Sequence, residues 1–200
     1  MRKLLIPAFV LAATAAHAQD QAQAPAHEDG PGPNMVIEVA GADGTAKGTI
    51  TLDLLADKAP NHVARLVELA KSGAYDGVVF HRVIADFMAQ TGDVEHGKQD
   101  GASTAMAGMG GSDLPDLEAE FNDVSFGAGT VGMARSQDPN SANSQFFIDL
   151  APATFLDGQY TVVGQLIDGW DVLNAIKKGD ANANGAVEEP DYMSRVTIVE

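Results

Sequence analysis

Residues 80–93 read FHRVIADFMAQTGD, and residues 144–148 answer them with SQFFI. The first stretch sets one arginine, Arg82, ahead of a short apolar run and then the amide of Gln90 and the hydroxyl of Thr91. The second sets Gln145 beside the paired aromatics Phe146 and Phe147. A cation, two amides and an apolar surface form an inventory without an obvious nucleophile or metal cluster. It suits a reaction in which a bond is rotated rather than broken.

Outward from these stretches, the chain reads as a series of short strands. Val78–Ile84, Phe87–Thr91 and Gln145–Leu150 are rich in apolar and β-branched residues, as are Gly129–Ala134, Tyr160–Ile167 and Ser194–Val199. Met35–Val39 and Gly48–Leu55 alternate around the turn-forming Gly41-Ala-Asp-Gly44, which predicts a hairpin. Lys58-Ala-Pro-Asn61 opens a helix whose Val63, Leu66, Val67 and Ala70 share a face and which stops near Gly73. Asp168 is the expected cap of a second helix running through Trp170, Leu173 and Ile176 to Gly179. Gly92–Asp113 reads as a long surface loop and Asp180–Glu189 as a polar one. Many short strands with two helices predict an all-β barrel or sandwich, and composition does not choose between them.

The N-terminus has a different character. Arg2 and Lys3 precede an apolar run, Leu4–Ala16, and Ala16-His17-Ala18 has the small-x-small form of a cleavage site. Residues 1–18 are therefore expected to be a secretory signal peptide, too short in its apolar run for a comfortable membrane span. Residues 19–33, rich in Ala, Gln, Pro and Gly, read as a flexible tether, and residues 34–200 as one domain. The chain has no cysteine, so no disulfide is needed in an oxidising compartment, and no lipid anchor of the lipoprotein kind is expected. An exported, periplasmic address follows as the expectation. With 12 basic and 28 acidic residues the formal charge is −16, a surface that repels nucleic acid and anionic lipid. No nucleic-acid partner and no membrane anchor are expected, and nothing suggests more than a monomer.

Residues 80–93 and 144–148 together resemble the corresponding motifs of the cyclophilins, a family of peptidyl-prolyl cis-trans isomerases. The resemblance runs from about Met35 to the C-terminus. It implies an eight-stranded antiparallel barrel capped by two α-helices, with an apolar interior and a substrate groove on the outside. It also implies a cofactor-free isomerase that acts on X-Pro bonds, here in proline-containing segments of other exported proteins. Arg82 and Gln90 match the family's catalytic positions. Phe87, Met88, Phe147 and Leu156 match its proline slot. Ala134, Arg135, Gln145, Phe155 and Tyr160 match groove positions around it.

The chemistry is consistent with that inventory. Twisting an X-Pro bond costs about 18–20 kcal/mol because amide resonance is lost. The twisted prolyl nitrogen regains a lone pair, and a guanidinium is a rigid, permanently charged donor to it. One charge-assisted hydrogen bond contributes roughly 1.5–3 kcal/mol. A hundred-thousand-fold acceleration needs about 7 kcal/mol. The remainder must come from a dry, preorganised site. For Met88 and Leu156, ordinary core packing is the reading that sequence alone favours.

Three positions depart from the family pattern. Arg135 stands where the family often has asparagine, Phe155 where its animal members commonly have tryptophan, and Tyr160 where they have histidine. The second change implies weak binding of cyclosporin, because phenylalanine lacks the indole N–H. Competing sites find little support. His62, His81 and His96 lack zinc-ligand spacing, and Gly108-Met-Gly-Gly111 does not match a phosphate loop. Strand alternation turns His81 away from the face of Arg82. A proline-peptide binding module without turnover is the reading from a different class, and intact Arg82 and Gln90 argue against it.

Overall fold

The computed structural model describes residues 27–100 and 106–200. The expected signal peptide, most of the tether and part of the Gly92–Asp113 loop lie outside the described residues. The strands are β1 (Asn34–Ala40), β2 (Ala46–Leu54), β3 (Val78–Val79), β4 (Arg82–Ile84), β5 (Met88–Thr91), β6 (Thr130–Met133), β7 (Phe146–Asp149), β8 (Val162–Asp168) and β9 (Tyr192–Val199). Helix α1 (Pro60–Lys71) follows β2, and the short α2 (Trp170–Ala175) follows β8.

All nine strands join one antiparallel sheet in the order β3-β9-β1-β2-β8-β6-β7-β5-β4. Its two edge strands, β3 and β4, are separated in the chain only by Phe80 and His81, so the sheet curls back on itself. The expected single strand over Val78–Ile84 is thus two strands, which is why the count is nine rather than eight. The break has a physical cause: β3 pairs with β9, β4 pairs with β5, and Phe80 turns its N–H to Asp191 O at 2.8 Å between them. Thr91 Oγ1 donates to Val79 O at 2.9 Å across this corner.

The inner face of the curled sheet is apolar. Ile37, Ile50, Leu52, Val83, Ala89, Val131, Phe146, Ile148 and Val163 share one core with Val63, Leu66 and Ala70 of α1 and Trp170, Val172 and Leu173 of α2. Burial of these side chains is the main favourable term for the fold. A second, smaller cluster lies on the other face: Met88, Phe126, Phe147, Ala153, Leu156 and Val162. Strand alternation separates the two clusters, since neighbours such as Phe146 and Phe147 point to opposite faces.

Helix α1 begins at Pro60 as expected, but its N-terminal donors are satisfied from a distant loop. Glu120 accepts from the backbone N–H groups of Asn61 and His62 and from both of their side chains. A carboxylate at this helix end also suits the helix dipole. Helix α2 is shorter than expected. Gly169, not Asp168, is its N-cap, and the helix ends at Ala175 rather than near Gly179. The chain leaves helical pairing there because Lys177 N donates to Asp191 Oδ2 and Gly179 N to Val83 O.

The described end of the expected tether is docked rather than free. His27 N donates to Leu166 O at 3.0 Å, Gly30 N to Asp53 Oδ2 at 3.1 Å, and Pro33 O accepts from Leu54 N at 3.0 Å. Composition suggested a linker here, and main-chain pairing to β2 and β8 overrides it.

Candidate active site

Register places the site. Arg82 of β4 pairs with Gln90 of β5, Gln90 with Phe147 of β7, Phe147 with Gly132 of β6, and Gly132 with Val162 of β8. This single row crosses the outer face of five strands. It brings cation, amide and aromatic into line from segments far apart in sequence. The next row carries Ile84, Met88 and Asp149.

A hydrogen-bonded chain runs from the guanidinium. Arg82 Nη1 donates to Gln90 Oε1 at 3.2 Å, Gln90 Nε2 to Gln145 Oε1 at 3.0 Å, and Gln145 Nε2 to Gly108 O at 3.1 Å and Gly110 O at 2.8 Å. The direction is forced at both ends, because a guanidinium only donates and a backbone carbonyl only accepts. Each amide must therefore present its oxygen toward Arg82 and its nitrogen away from it. The glycine turn at the far end is itself organised by the fully buried Asp93. Its carboxylate accepts from Glu95 N and His96 N through Oδ1, and from Gly108 N and Gly110 N through Oδ2.

Beside Arg82 lies a cavity of about 160 Å³, lined by Phe87, Met88, Gln90, Ala134, Arg135, Phe147, Leu156 and Tyr160. Nine of the eleven residues singled out in the sequence, Arg82 included, meet around it. Met88, Phe147 and Leu156 form its apolar floor and are continuous with the second core cluster. Phe147 stacks on Phe126 at 5.8 Å, and the edge of Tyr160 meets it at the same distance. Gly132 makes this packing possible: a Cβ there would lie 2.5 Å from Phe147 Cζ and 2.7 Å from Phe126 Cε1. Arg82 Nη1 also approaches Met88 Sδ at 3.6 Å.

The other two residues border the cavity. Gln145 lines a neighbouring polar cavity of about 470 Å³, with Gly108–Ser112, Asp116 and Asn143. Phe155 stands at the rim, 64% exposed, its ring 5.6 Å from that of Phe87. The Arg135 side chain is already engaged. Its guanidinium covers the Tyr160 ring at 4.4 Å, and its donors go to Gln159 O and Ser136 O.

Electrostatically the groove holds a cation without a nearby base. Partial burial lowers the Arg82 pKa, but a guanidinium remains charged at neutral pH. His81 faces the other way, toward Gly108, and burial pushes its pKa down to about 4. Neutral, turned away and without a hydrogen-bond partner at either ring nitrogen among the described residues, it does not serve the groove. Among the described residues no cluster of His, Cys, Asp or Glu could hold a metal ion.

Sequence reasoning missed three contributors. Gly108 and Gly110 lie in a motif noticed only as a poor phosphate loop, yet their carbonyls anchor Gln145. Asn184 lies in the Asp180–Glu189 loop, and its backbone and side-chain oxygens both accept from Arg82. The Asn184-Gly185 dipeptide is a recognisable turn signature, but nothing local indicates which strand it visits.

The family model for cyclophilin-type peptidyl-prolyl cis-trans isomerase matches residues 36–198. A probable peptidyl-prolyl cis-trans isomerase of Brucella suis is 56% identical over 152 residues, covering 76% of this chain and 78% of the relative. A peptidyl-prolyl cis-trans isomerase-like 1 protein of Rhizopus delemar is 41% identical over 140 residues, covering 69% of this chain and 81% of the relative. In three dimensions the chain resembles a crystal structure of a cyclophilin from Hirschia baltica. The TM-score is 0.67 at 26% identity, with 86% of this chain and 75% of that one covered.

Proposed function

This chain belongs to the cyclophilin-type peptidyl-prolyl cis-trans isomerase family and is such an isomerase, and from that premise we propose that it works on X-Pro bonds of exported proteins in the periplasm, assisting their folding. The leader-like residues 1–18 and the cysteine-free composition support the address. The substrate proline enters the cavity over Met88, Phe147 and Leu156, with Phe87 and Tyr160 as walls. Ala134 borders the peptide backbone, and Gln90, whose second amide hydrogen has no protein partner among the described residues, holds a substrate carbonyl. As the amide twists, the prolyl nitrogen gains a lone pair and Arg82 donates to it.

No bond is made or broken in this scheme, so the work is positioning and electrostatic stabilisation over an apolar floor of Met88, Phe147 and Leu156. The observation that carries the reading is the convergence of nine site residues, from β4, β5, β7 and the loops after β4, β6 and β7, on one cavity. The catalytic role is tested with a protease-coupled assay on a short X-Pro peptide, comparing the wild type with Arg82→Ala. Turnover should fall by at least about a hundredfold with peptide affinity little changed. An active, folded Arg82→Ala variant overturns the assignment of Arg82. The address is tested separately, by fractionation and N-terminal sequencing of the expressed protein. Recovery of a chain still beginning at Met1 and held in the membrane overturns it.

A further inference from the structure

We infer that Asn184 is a positioning residue for the isomerase reaction: the Asn184-Gly185 turn clamps the Arg82 guanidinium so that its remaining donors face the groove. Arg82 Nε donates to Asn184 O at 3.0 Å and Nη2 donates to Asn184 Oδ1 at 3.1 Å. With Nη1 on Gln90 Oε1, the guanidinium is gripped from two sides by acceptors on separate parts of the chain. A guanidinium carries five N–H donors in a fixed plane. These three bonds fix that plane and leave one hydrogen on each terminal nitrogen, that of Nη1 directed at Met88 Sδ at 3.6 Å on the cavity floor and that of Nη2 without a partner among the described residues.

The turn is built for this task. Asn184 has φ 54° and ψ 34°, the left-handed region that asparagine enters more readily than most residues. That conformation aims its backbone carbonyl and its side-chain oxygen at the same guanidinium. The loop is tied to the edge of the sheet on both sides of the turn. Val83 N donates to Gly185 O at 2.8 Å, Gly179 N to Val83 O at 2.9 Å, and Val187 N to His81 O at 3.1 Å. Inside the loop, Asp180 Oδ1 caps Asn182 N, and Gly185 N returns to Asp180 O at 2.8 Å. The loop therefore extends the β4 edge and delivers Asn184 from 102 residues away to Arg82.

The inference rests on the catalytic role proposed for Arg82, and the test separates the two. The main variant is Asn184→Gly. Glycine keeps the left-handed backbone and its carbonyl without strain and removes only Oδ1. Asn184→Asp restores an acceptor at the same place. In the X-Pro peptide assay Asn184→Gly should lose about tenfold in kcat/KM, carried by kcat, because a loosely held donor is misplaced at the twisted state. Asn184→Asp should recover most of that loss. In the Arg82→Ala background, Asn184→Gly should produce no further loss, since the clamp then has nothing to hold.

An Nη2–H signal of Arg82 that exchanges faster with solvent in Asn184→Gly supports the same conclusion independently, because Nη2 is the donor that loses its acceptor. Full activity of Asn184→Gly alongside an inactive Arg82→Ala overturns the clamp and leaves Arg82 as assigned. Equal losses from Asn184→Gly in both backgrounds also overturn it, because the effect then passes through the fold. An active Arg82→Ala overturns both assignments together.

Discussion

Gln90 donates through Nε2 to Oε1 of Gln145 at 3.0 Å, and this one contact ties the Arg82 guanidinium to the carbonyls of Gly108 and Gly110. The proposed catalytic donor is thereby oriented by a turn that never touches it. Gln145→Leu removes the link and leaves those carbonyls and one Gln90 donor unpaired. Stability should fall by about 1–3 kcal/mol, the cost of partly buried polar groups without partners. The kcat/KM on an X-Pro peptide should fall about tenfold as the Gln90 amide loses its fixed orientation. Denaturant titration and the protease-coupled assay measure the two effects separately.

Arg82→Lys keeps the charge but not the fork. A lysine ammonium is a compact point donor and cannot span Gln90 Oε1 and both oxygens of Asn184 at once. If charge alone sufficed, the lysine variant would be nearly as active as wild type. The planar geometry requires instead a loss of at least about tenfold in kcat/KM, with the melting temperature almost unchanged.

Most of the fold and the groove face was legible in the sequence because a strand's alternation is local. Arg82, Met88, Gln90 and Phe147 fall on one parity, while Val83, Ala89, Phe146 and Ile148 fall on the other. What alternation cannot supply is register and loop return. The break at Phe80–His81 depends on competition between β9 and β5 for the same segment, a tertiary matter. The early end of α2 depends on Asp191 taking the Lys177 N–H. The grip of Asn184 on Arg82 spans 102 residues and leaves no periodic trace. Met88 and Leu156 were hard to place for another reason: each belongs both to a packed cluster and to the cavity floor. Either description taken alone would have been incomplete.

Asp149 makes stability depend on pH. It is fully buried behind the slot, opposite Met88 in the β5–β7 register, and neither carboxylate oxygen has a hydrogen-bond partner among the described residues. Burial pushes its pKa from 3.8 up to about 8. A folded-state pKa above the unfolded one means the contribution is fully present below the lower value and is lost as pH rises through the higher one. Urea titrations across that window should show wild-type stability declining with pH. Asp149→Asn, which does not ionise, should flatten that decline and be the more stable protein above pH about 8. Parallel profiles for the two proteins would mean that Asp149 does not titrate in the window.

Gly132→Ala tests whether the slot floor is built by close approach. The added Cβ would fall 2.5 Å from Phe147 Cζ and 2.7 Å from Phe126 Cε1, so one of the stacked rings must move. Overpacking of this kind costs about 1–3 kcal/mol. Because Phe147 lines the cavity proposed for the substrate proline, peptide affinity should weaken together with stability. That pairing distinguishes the slot from the inner core, where Val131→Ala should lower stability alone.

Phe155→Trp addresses the rim. Phe155 is 64% exposed, and its ring lies 5.6 Å from Phe87, so it forms an outer wall of the groove with few neighbours of its own. A tryptophan there has room, adds apolar contact area and presents an indole N–H that phenylalanine lacks. The family resemblance links that N–H to tight cyclosporin binding. Regaining one hydrogen bond and some buried area is worth roughly 1–3 kcal/mol, or about one to two decades of affinity. Isomerisation of short peptides should change by no more than a few fold, because Arg82, Gln90 and the floor residues are untouched. Inhibition titrations of both proteins decide the matter. If the wild type already binds in the nanomolar range, the aromatic at this position is not what limits affinity. If the tryptophan variant gains nothing, the obstacle lies across the groove, where the Arg135 guanidinium covers the Tyr160 ring.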